Sequence, residues 1–215
     1  MDTSNCPAWD CEERTPEAAI EMVRRINSVY QALAKPNALG NSPRITPRLW
    51  HREVFDGLPP VAYYAGHYRG FDAARPCLFQ DVQFGQNGKH KGTAKIHVRG
   101  EMSRLQFRYV KWLEELDRRQ QSVSIVPSTK RAECVLLIAL AVAQFIQVHP
   151  FINGNGRTSR IIINFFLIRF GMRPMQDYPR PPDPYLSVLD VALSGQYAPL
   201  CDYILTSAYP IRSST

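Results

Sequence analysis

Cysteine is sparse in this sequence and badly placed for cooperative chemistry. There are five, Cys6, Cys11, Cys77, Cys134 and Cys201, an odd number with no C-x-x-C pair among them. That spacing argues against a zinc-type cysteine cluster and against a disulfide framework of the kind that staples small secreted domains. Cys134 falls in an apolar run and Cys201 in an expected helix, so reduced, buried thiols are expected. Histidine offers no metal site either: His51, His67, His90 and His97 are spread without ligand spacing and read as surface or hydrogen-bonded residues. Long hydrophobic runs are missing. A bilayer-crossing helix needs about 20 apolar residues, and the most apolar run, Cys134 to Val148, falls short and contains Gln144 and Gln147. No membrane role is therefore expected. The beginning of the chain carries Asp2, Asp10, Glu12 and Glu13 and lacks an apolar segment of signal-peptide type. The expected compartment is the cytoplasm, with delivery into another cell as an effector left open. Internal repeats and low-complexity tracts are absent.

Acid is the scarcer charge. Lysine and arginine number 26 against 19 aspartates and glutamates, which gives a net charge of +7 and a pI near 9.3. Such an excess favours anionic partners in general. Lys89-His90-Lys91, Lys95, Arg99 and Arg104 form a basic stretch. A solvated surface is its first reading, a docking site for a protein target the second, and nucleic acid the least favoured. An apolar content of 45% and a charged content of 21% over 215 residues fit a globular chain of one domain, taken as 15–215 behind a poorly ordered tail, 1–14.

Helical signals dominate. Thr15-Pro16-Glu17 supplies a cap, a proline at the first helical position and an early acid. Ala19, Met22, Val23, Ile26, Val29, Tyr30 and Leu33 then recur at helical spacing, to about Lys35. Pro36 to Pro47 reads as a loop, and a helix is expected from about Arg48 to Asp56. Glu101 to about Gln121 is amphipathic, with Met102, Leu105, Tyr109, Trp112, Leu113 and Leu116 as its apolar stripe. Ser128 or Thr129 is expected to cap the central apolar helix. Pro179 to Pro184 reads as a linker into short helices from about Tyr185 to Leu193 and Tyr197 to Ser207. Residues 61–100 differ in character. Cys77–Phe79 and Val82–Phe84 suggest one strand and Thr93–Val98 a second, with Gly85, Asn87 and Gly88 as turn residues and 85–92 as a longer loop.

The chemistry concentrates in His149-Pro150-Phe151-Ile152-Asn153-Gly154-Asn155-Gly156-Arg157-Thr158-Ser159-Arg160. Pro150 cannot continue a helix and biases His149 toward extended backbone, so the central helix ends there. Ile161–Phe170 is apolar again and reads as the next helix. Gly154 and Gly156 tolerate positive φ, and Asn155 tolerates it better than most residues. Their N–H groups can converge as an anion nest at a helix N-terminus. Arg157 and Arg160, three apart, share a helix face. His149 stands at the edge of this anion site, and an imidazole suits general-base chemistry near neutral pH.

This segment resembles the Fic family, whose pattern is His-Pro-Phe, any residue, Asp or Glu, Gly-Asn-Gly-Arg, two residues and Arg. Gly171-Met172-Arg173-Pro174, Tyr185–Leu189, Gly195 and Pro199-Leu200 look like its continuation, and His51–Phe55 with Ala65–Arg69 like the approach to its β-hairpin flap. The resemblance spans roughly Arg48 to Leu205. It implies an all-α fold, a helical bundle around a central helix-loop-helix motif, with a small β-hairpin flap. It also implies transfer of AMP from ATP to a Ser, Thr or Tyr hydroxyl of a target protein. On that resemblance His149 is the general base. Gly154, Asn155 and Gly156 hold the α and β phosphates, Arg157 and Arg160 the outer ones, and Phe151 anchors the loop. The hairpin flap, with Val82, Phe84 and Ile96, would lay a target segment beside the site by strand addition; an ordinary two-strand ornament is the other reading. Tyr185 stacks on the adenine or belongs to the core.

One position departs from the pattern: Asn153 stands where the family has an acid that holds Mg²⁺. An amide oxygen is a poorer ligand than a carboxylate. Transfer of UMP, GMP, phosphocholine or phosphate is therefore a second reading, and a binding protein with decayed catalysis a third. Many Fic proteins also carry an inhibitory helix with Ser or Thr, three residues, then Glu followed by Gly or Asn. No Glu here precedes Gly or Asn, and Thr129 with Glu133 is followed by Cys134. A separate antitoxin-like partner, or limited access to the target, is expected in its place.

Overall fold

The computed structural model describes residues 5–9, 15–35, 45–120, 127–175 and 184–208. Among these are seven α-helices: α1 (Pro16–Ala34), α2 (Pro47–Phe55), α3 (Val98–Gln120), α4 (Pro127–Val148), α5 (Asn155–Arg169), α6 (Tyr185–Leu193) and α7 (Ala198–Ala208). One antiparallel hairpin joins β1 (Gln83–Phe84) to β2 (His90–Lys91). The all-α expectation with a small hairpin holds.

Local chemistry explains the helix bounds. The Ala18 N–H donates to Thr15 Oγ1, and Pro16 occupies the first turn, where a missing N–H costs nothing. The apolar stripe of α1, Met22, Ile26, Val29, Tyr30 and Leu33, is buried. It packs against α2 and α5. In α3 Met102, Leu105, Tyr109 and Leu113 face inward, and Tyr109 donates to the Ala141 carbonyl of α4 at 2.7 Å. α4 contacts α3, α5, α6 and α7 and so forms the centre of the bundle. Its segment Lys130–Val148 is, by length and composition alone, sufficient to cross a bilayer. That corrects the reading of this run as too short; here the helix is packed in the core. Ser128 and Thr129, the expected caps, fall within α4, which is described from Pro127. α5 begins at Asn155, six residues before the expected start at Ile161, and the motif's second glycine is already helical.

Three readings at the edges fail. Thr93–Val98 is not a strand: Gly92 N–H still donates to Val82 O, but His97 N–H turns back to Ala94 O and α3 starts at Val98. Cys77-Leu78 sits in a 3-10 turn, Pro76–Leu78, not in a strand. The 85–92 loop instead closes the hairpin. Gly85, Asn87 and Gly88 all take left-handed φ (79°, 56° and 68°), which frees β2 to return directly. The tail is not wholly loose either. Within it Trp9 is 5% exposed, and Cys6 is bonded to Cys77. Those two cysteines are therefore a disulfide, contrary to the reduced-thiol reading; Cys134, buried, and Cys201, half-buried, are not in a disulfide, and Cys11 lies outside the described residues. Tail residues 1–4 and 10–14, loop residues 36–44 and linker residues 176–183 likewise lie outside them.

Candidate active site

Helix α4 delivers His149 to its C-terminal end. The His149 N–H makes the last helical bond, to Phe145 O at 3.0 Å, and the residue then turns into the left-handed region with φ 51°. This reverses the extended backbone expected before Pro150. Nδ1 lies 3.3 Å from the Ile146 carbonyl. A carbonyl only accepts, so Nδ1 carries the proton and Nε2 presents a bare lone pair. Burial pushes the imidazole pKa down to about 4, so the ring is neutral at pH 7. One face of the ring stacks on Phe84 of β1, centroids 4.1 Å apart and planes 16° apart. The hairpin is itself tied to α6: Lys89 pairs with Asp190 at 2.9 Å, and His90 Nε2 bonds the same carboxylate.

Arg69, part of the stretch that resembles the approach to the flap, has a role that the sequence does not reveal. It is wholly buried and donates from Nε to the His149 carbonyl (2.6 Å), from Nη1 to Gln80 O (3.2 Å), and from Nη2 to Thr93 O and Val148 O (3.0 Å). Its own N–H reaches Pro150 O at 2.7 Å. One guanidinium thus joins the end of α4, the hairpin approach and the hairpin exit. Burial lowers its pKa to about 10, which leaves it charged at neutral pH, with Asp81 as an opposing charge nearby. Gly92 is needed beside it: a Cβ there would lie 2.7 Å from Arg69 Nη2 and 3.0 Å from His149 Cβ.

The connection from His149 to α5 is held from three sides. Phe151 is buried between His51 (centroids 3.8 Å) and Tyr68 (5.1 Å), the anchoring role expected of it. Asn155 folds its side chain back: Oδ1 accepts from Phe151 N–H and Nδ2 donates to Phe151 O, both at 3.0 Å. His51 accepts at Nδ1 from Gly66 N–H (2.9 Å), so Nε2 carries the proton and donates to Asn153 O (3.0 Å). Burial lowers the His51 pKa to about 3. Gly154 caps α5 at φ 77°, and a Cβ on it would lie 2.4 Å from Phe55. That position accepts only glycine.

At Gly156 the geometry is the reverse. Among the described residues nothing lies within 4 Å of where its Cβ would be, so no side chain covers the Cα side of Gly156. The first N–H groups of a helix lack intrahelical acceptors and carry partial positive charge, which suits a phosphate. Arg157 and Arg160 follow on this helix. Arg157 stands over the Phe55 ring at 5.9 Å, and Arg160, nearly buried, over Tyr185 at 4.0 Å. Tyr185 is 0% exposed, shares a 2.6 Å hydrogen bond with Ser159 Oγ and packs on Tyr203. It is buried in the core, with Arg160 over its ring and Tyr203 beside it. Of the three flap residues, Val82 and Phe84 lie beside the site. Ile96, 65% exposed, sits in the turn before α3 and shares no strand with them.

Asn153 is not presented as a metal ligand. Its Oδ1 accepts from Gly154 N–H at 2.6 Å, and its Nδ2 donates to the Trp9 carbonyl at 2.7 Å. Among the described residues no group of three His, Cys, Asp or Glu side chains could hold a metal ion. Among the described residues, the site therefore offers Mg²⁺ no set of protein ligands.

Comparison with known proteins agrees with this geometry. The Fic/DOC family profile matches residues 48–167, more than half the chain and the whole of the 149–160 segment. The chain is similar to proteins named "Protein adenylyltransferase Fic". It is 33% identical to that of Drosophila grimshawi over 105 residues, 49% of this chain and 20% of that protein. For Drosophila ananassae the figures are 32%, 49% and 19%, and for Drosophila melanogaster 30%, 49% and 19%. The chain thus spans about a fifth of the length of the curated relatives it matches. With the motif, the helical bundle and the family match in agreement, this chain belongs to the Fic/DOC family.

Proposed function

We propose that the protein is a nucleotidyltransferase that moves AMP from ATP to a hydroxyl side chain of a target protein. The observation that carries this reading is the pairing of a neutral imidazole, proton fixed on Nδ1, with a helix N-terminus whose Gly156 carries no covering side chain, across the five residues 150–154. Nε2 of His149 takes the proton from the target hydroxyl. The hydroxyl oxygen attacks the α-phosphorus, the α–β phosphoanhydride bond breaks, and pyrophosphate leaves. Backbone amides at 155–157 and the Arg157 and Arg160 guanidiniums stabilise the charge on the phosphates, so catalysis rests on alignment and electrostatics. ATP as co-substrate follows from the names of the relatives. Any Mg²⁺ would sit on the nucleotide's own phosphates, because residue 153 does not offer it a site.

Target docking belongs to the same proposal. The hairpin lies over His149 through Phe84, and a target segment pairing along it would bring its hydroxyl to Nε2. The test is incubation of the protein in a cell lysate with each α-labelled nucleoside triphosphate in turn, beside His149→Ala. Label from ATP, lost in the variant, supports AMP transfer. Label from another nucleotide establishes the second reading, and no label from any nucleotide defeats the enzymatic account.

A further inference from the structure

We propose that the disulfide-tethered segment Cys6–Trp9 is a brace for the phosphate loop, and that Asn153 is the positioning residue through which the state of the disulfide reaches it. The first half concerns the loop alone; the kinetic half rests on the nucleotide site proposed above.

Three of the segment's four residues, Cys6, Pro7 and Trp9, are fixed. Cys6 is bonded to Cys77, in the 3-10 turn whose Leu78 carbonyl accepts from Gly70, next to Arg69. The Pro7 carbonyl accepts from Tyr64 Oη at 3.1 Å. The Trp9 indole is buried, stacked on Tyr64 (6.0 Å) and edge-on to Phe55 (5.3 Å) and His51 (5.9 Å). It therefore meets the loop twice. Its carbonyl takes the Asn153 amide proton, and its ring backs the imidazole that donates to the Asn153 carbonyl.

This arrangement accounts for the residue at 153. The contact demands a donor toward Trp9 O and an acceptor toward Gly154 N–H, and asparagine offers both. An aspartate would still accept from Gly154 but would turn a lone pair on the Trp9 carbonyl. An acid at 153 serves a metal; an amide serves the brace. His149 is held separately, by Arg69 and the end of α4, so the brace acts on the loop and leaves the base in place.

The experiment compares the oxidised protein with protein reduced by dithiothreitol, which gives two electrons and two protons to the Cys6–Cys77 bond and closes to its own cyclic disulfide. Cys6→Ser, Trp9→Ala (which keeps the backbone carbonyl), Asn153→Asp and the Cys6→Ser/Asn153→Asp double variant complete the set. Amide hydrogen exchange is read at Phe151 and Gly154. Reduction and each single variant are expected to speed exchange about tenfold, the worth of one buried hydrogen bond. The double variant is expected to be no faster than either single, since both break one linkage. In the transfer assay the KM for ATP rises about tenfold on reduction while kcat changes less than twofold. Exchange unchanged by reduction, effects of Cys6→Ser and Asn153→Asp that multiply, or an Asn153→Asp protein with tighter loop protection would each overturn the brace. If exchange responds as expected but no AMP transfer is found, the brace stands and the enzymatic reading fails.

Discussion

Arg69→Lys keeps the buried charge and removes the fork. In the native protein four carbonyls, from His149, Val148, Thr93 and Gln80, accept from three nitrogens spread across a plane. An ammonium is a single point with three donors. Placed on the same stem it reaches at most two of those oxygens, and two buried carbonyls lose a charged donor. Hydrogen bonds to charged groups contribute about 1.5–3 kcal/mol each, so the loss is about 3–6 kcal/mol. For a chain of this size about 1 kcal/mol moves Tm by roughly 2–4 °C, and a fall of about 10 °C is expected by calorimetry. The His149 carbonyl is one of the four, so the base shifts with it. A displacement of about 1 Å at a reacting group costs about a hundredfold, and kcat is expected to fall by about that factor while the ATP KM moves little. A variant that melts within about 2 °C of the parent with kcat intact would refute the reasoning, and would mean that the end of α4 is held by packing alone.

Three further outcomes follow. His149→Ala should retain its helical circular dichroism and lose transfer entirely, since the other imidazole at the loop, His51, has both ring nitrogens engaged by the backbone. His51 and His149 are both neutral in the fold and charge at about 6.5 when unfolded, so the unfolded state takes up protons first as pH falls. Their contribution is fully present above 6.5 and is lost as pH drops toward the folded values of about 4 and about 3. Denaturant titrations at pH 7 and pH 5 should therefore differ by about 4 kcal/mol, about 2 per histidine, while transfer stays level from pH 8 to pH 6; a half-loss of activity at 6.5 would contradict the buried neutral base. The two glycines should separate: Gly154→Ala forces a methyl into Phe55 at φ 77° and should destabilise by about 3 kcal/mol. Gly156→Ala should melt within a few degrees of the parent and bind nucleotide at least tenfold more weakly in a filter or fluorescence titration.

What could be read in advance was whatever repeats at short range. The stripe of α1, its Thr15 cap and the apolar α4–α5 pair are local patterns, and the His149–Arg160 cluster is contiguous. The second strand was misplaced because Thr93–Val98 alternates as a strand would, yet Arg69 and the Val148 carbonyl capture Thr93 and the chain turns at Ala94. Cys6 and Cys77, 71 residues apart, had no spacing rule to pair them. The role of Asn153 depends on Trp9, 144 positions earlier, in a stretch taken for a loose tail. The one available hint was a tryptophan and two cysteines in that tail, a costly set of side chains to leave in water. Arg69 falls in the Ala65–Arg69 stretch that resembles the approach to the flap, but nothing local distinguishes a guanidinium that will be surrounded by main-chain oxygens.

The stacking of Phe84 on His149 carries a consequence for how a reagent approaches. With one π-face covered and Nδ1 moored to the helix end, the five-membered ring cannot turn over and exchange its two nitrogens. The Nε2 lone pair lies in the plane of the ring, so an incoming alcohol must meet it edgewise. A bulky acylating reagent such as diethyl pyrocarbonate should therefore modify this histidine far more slowly than a free imidazole, until the aromatic cover swings aside.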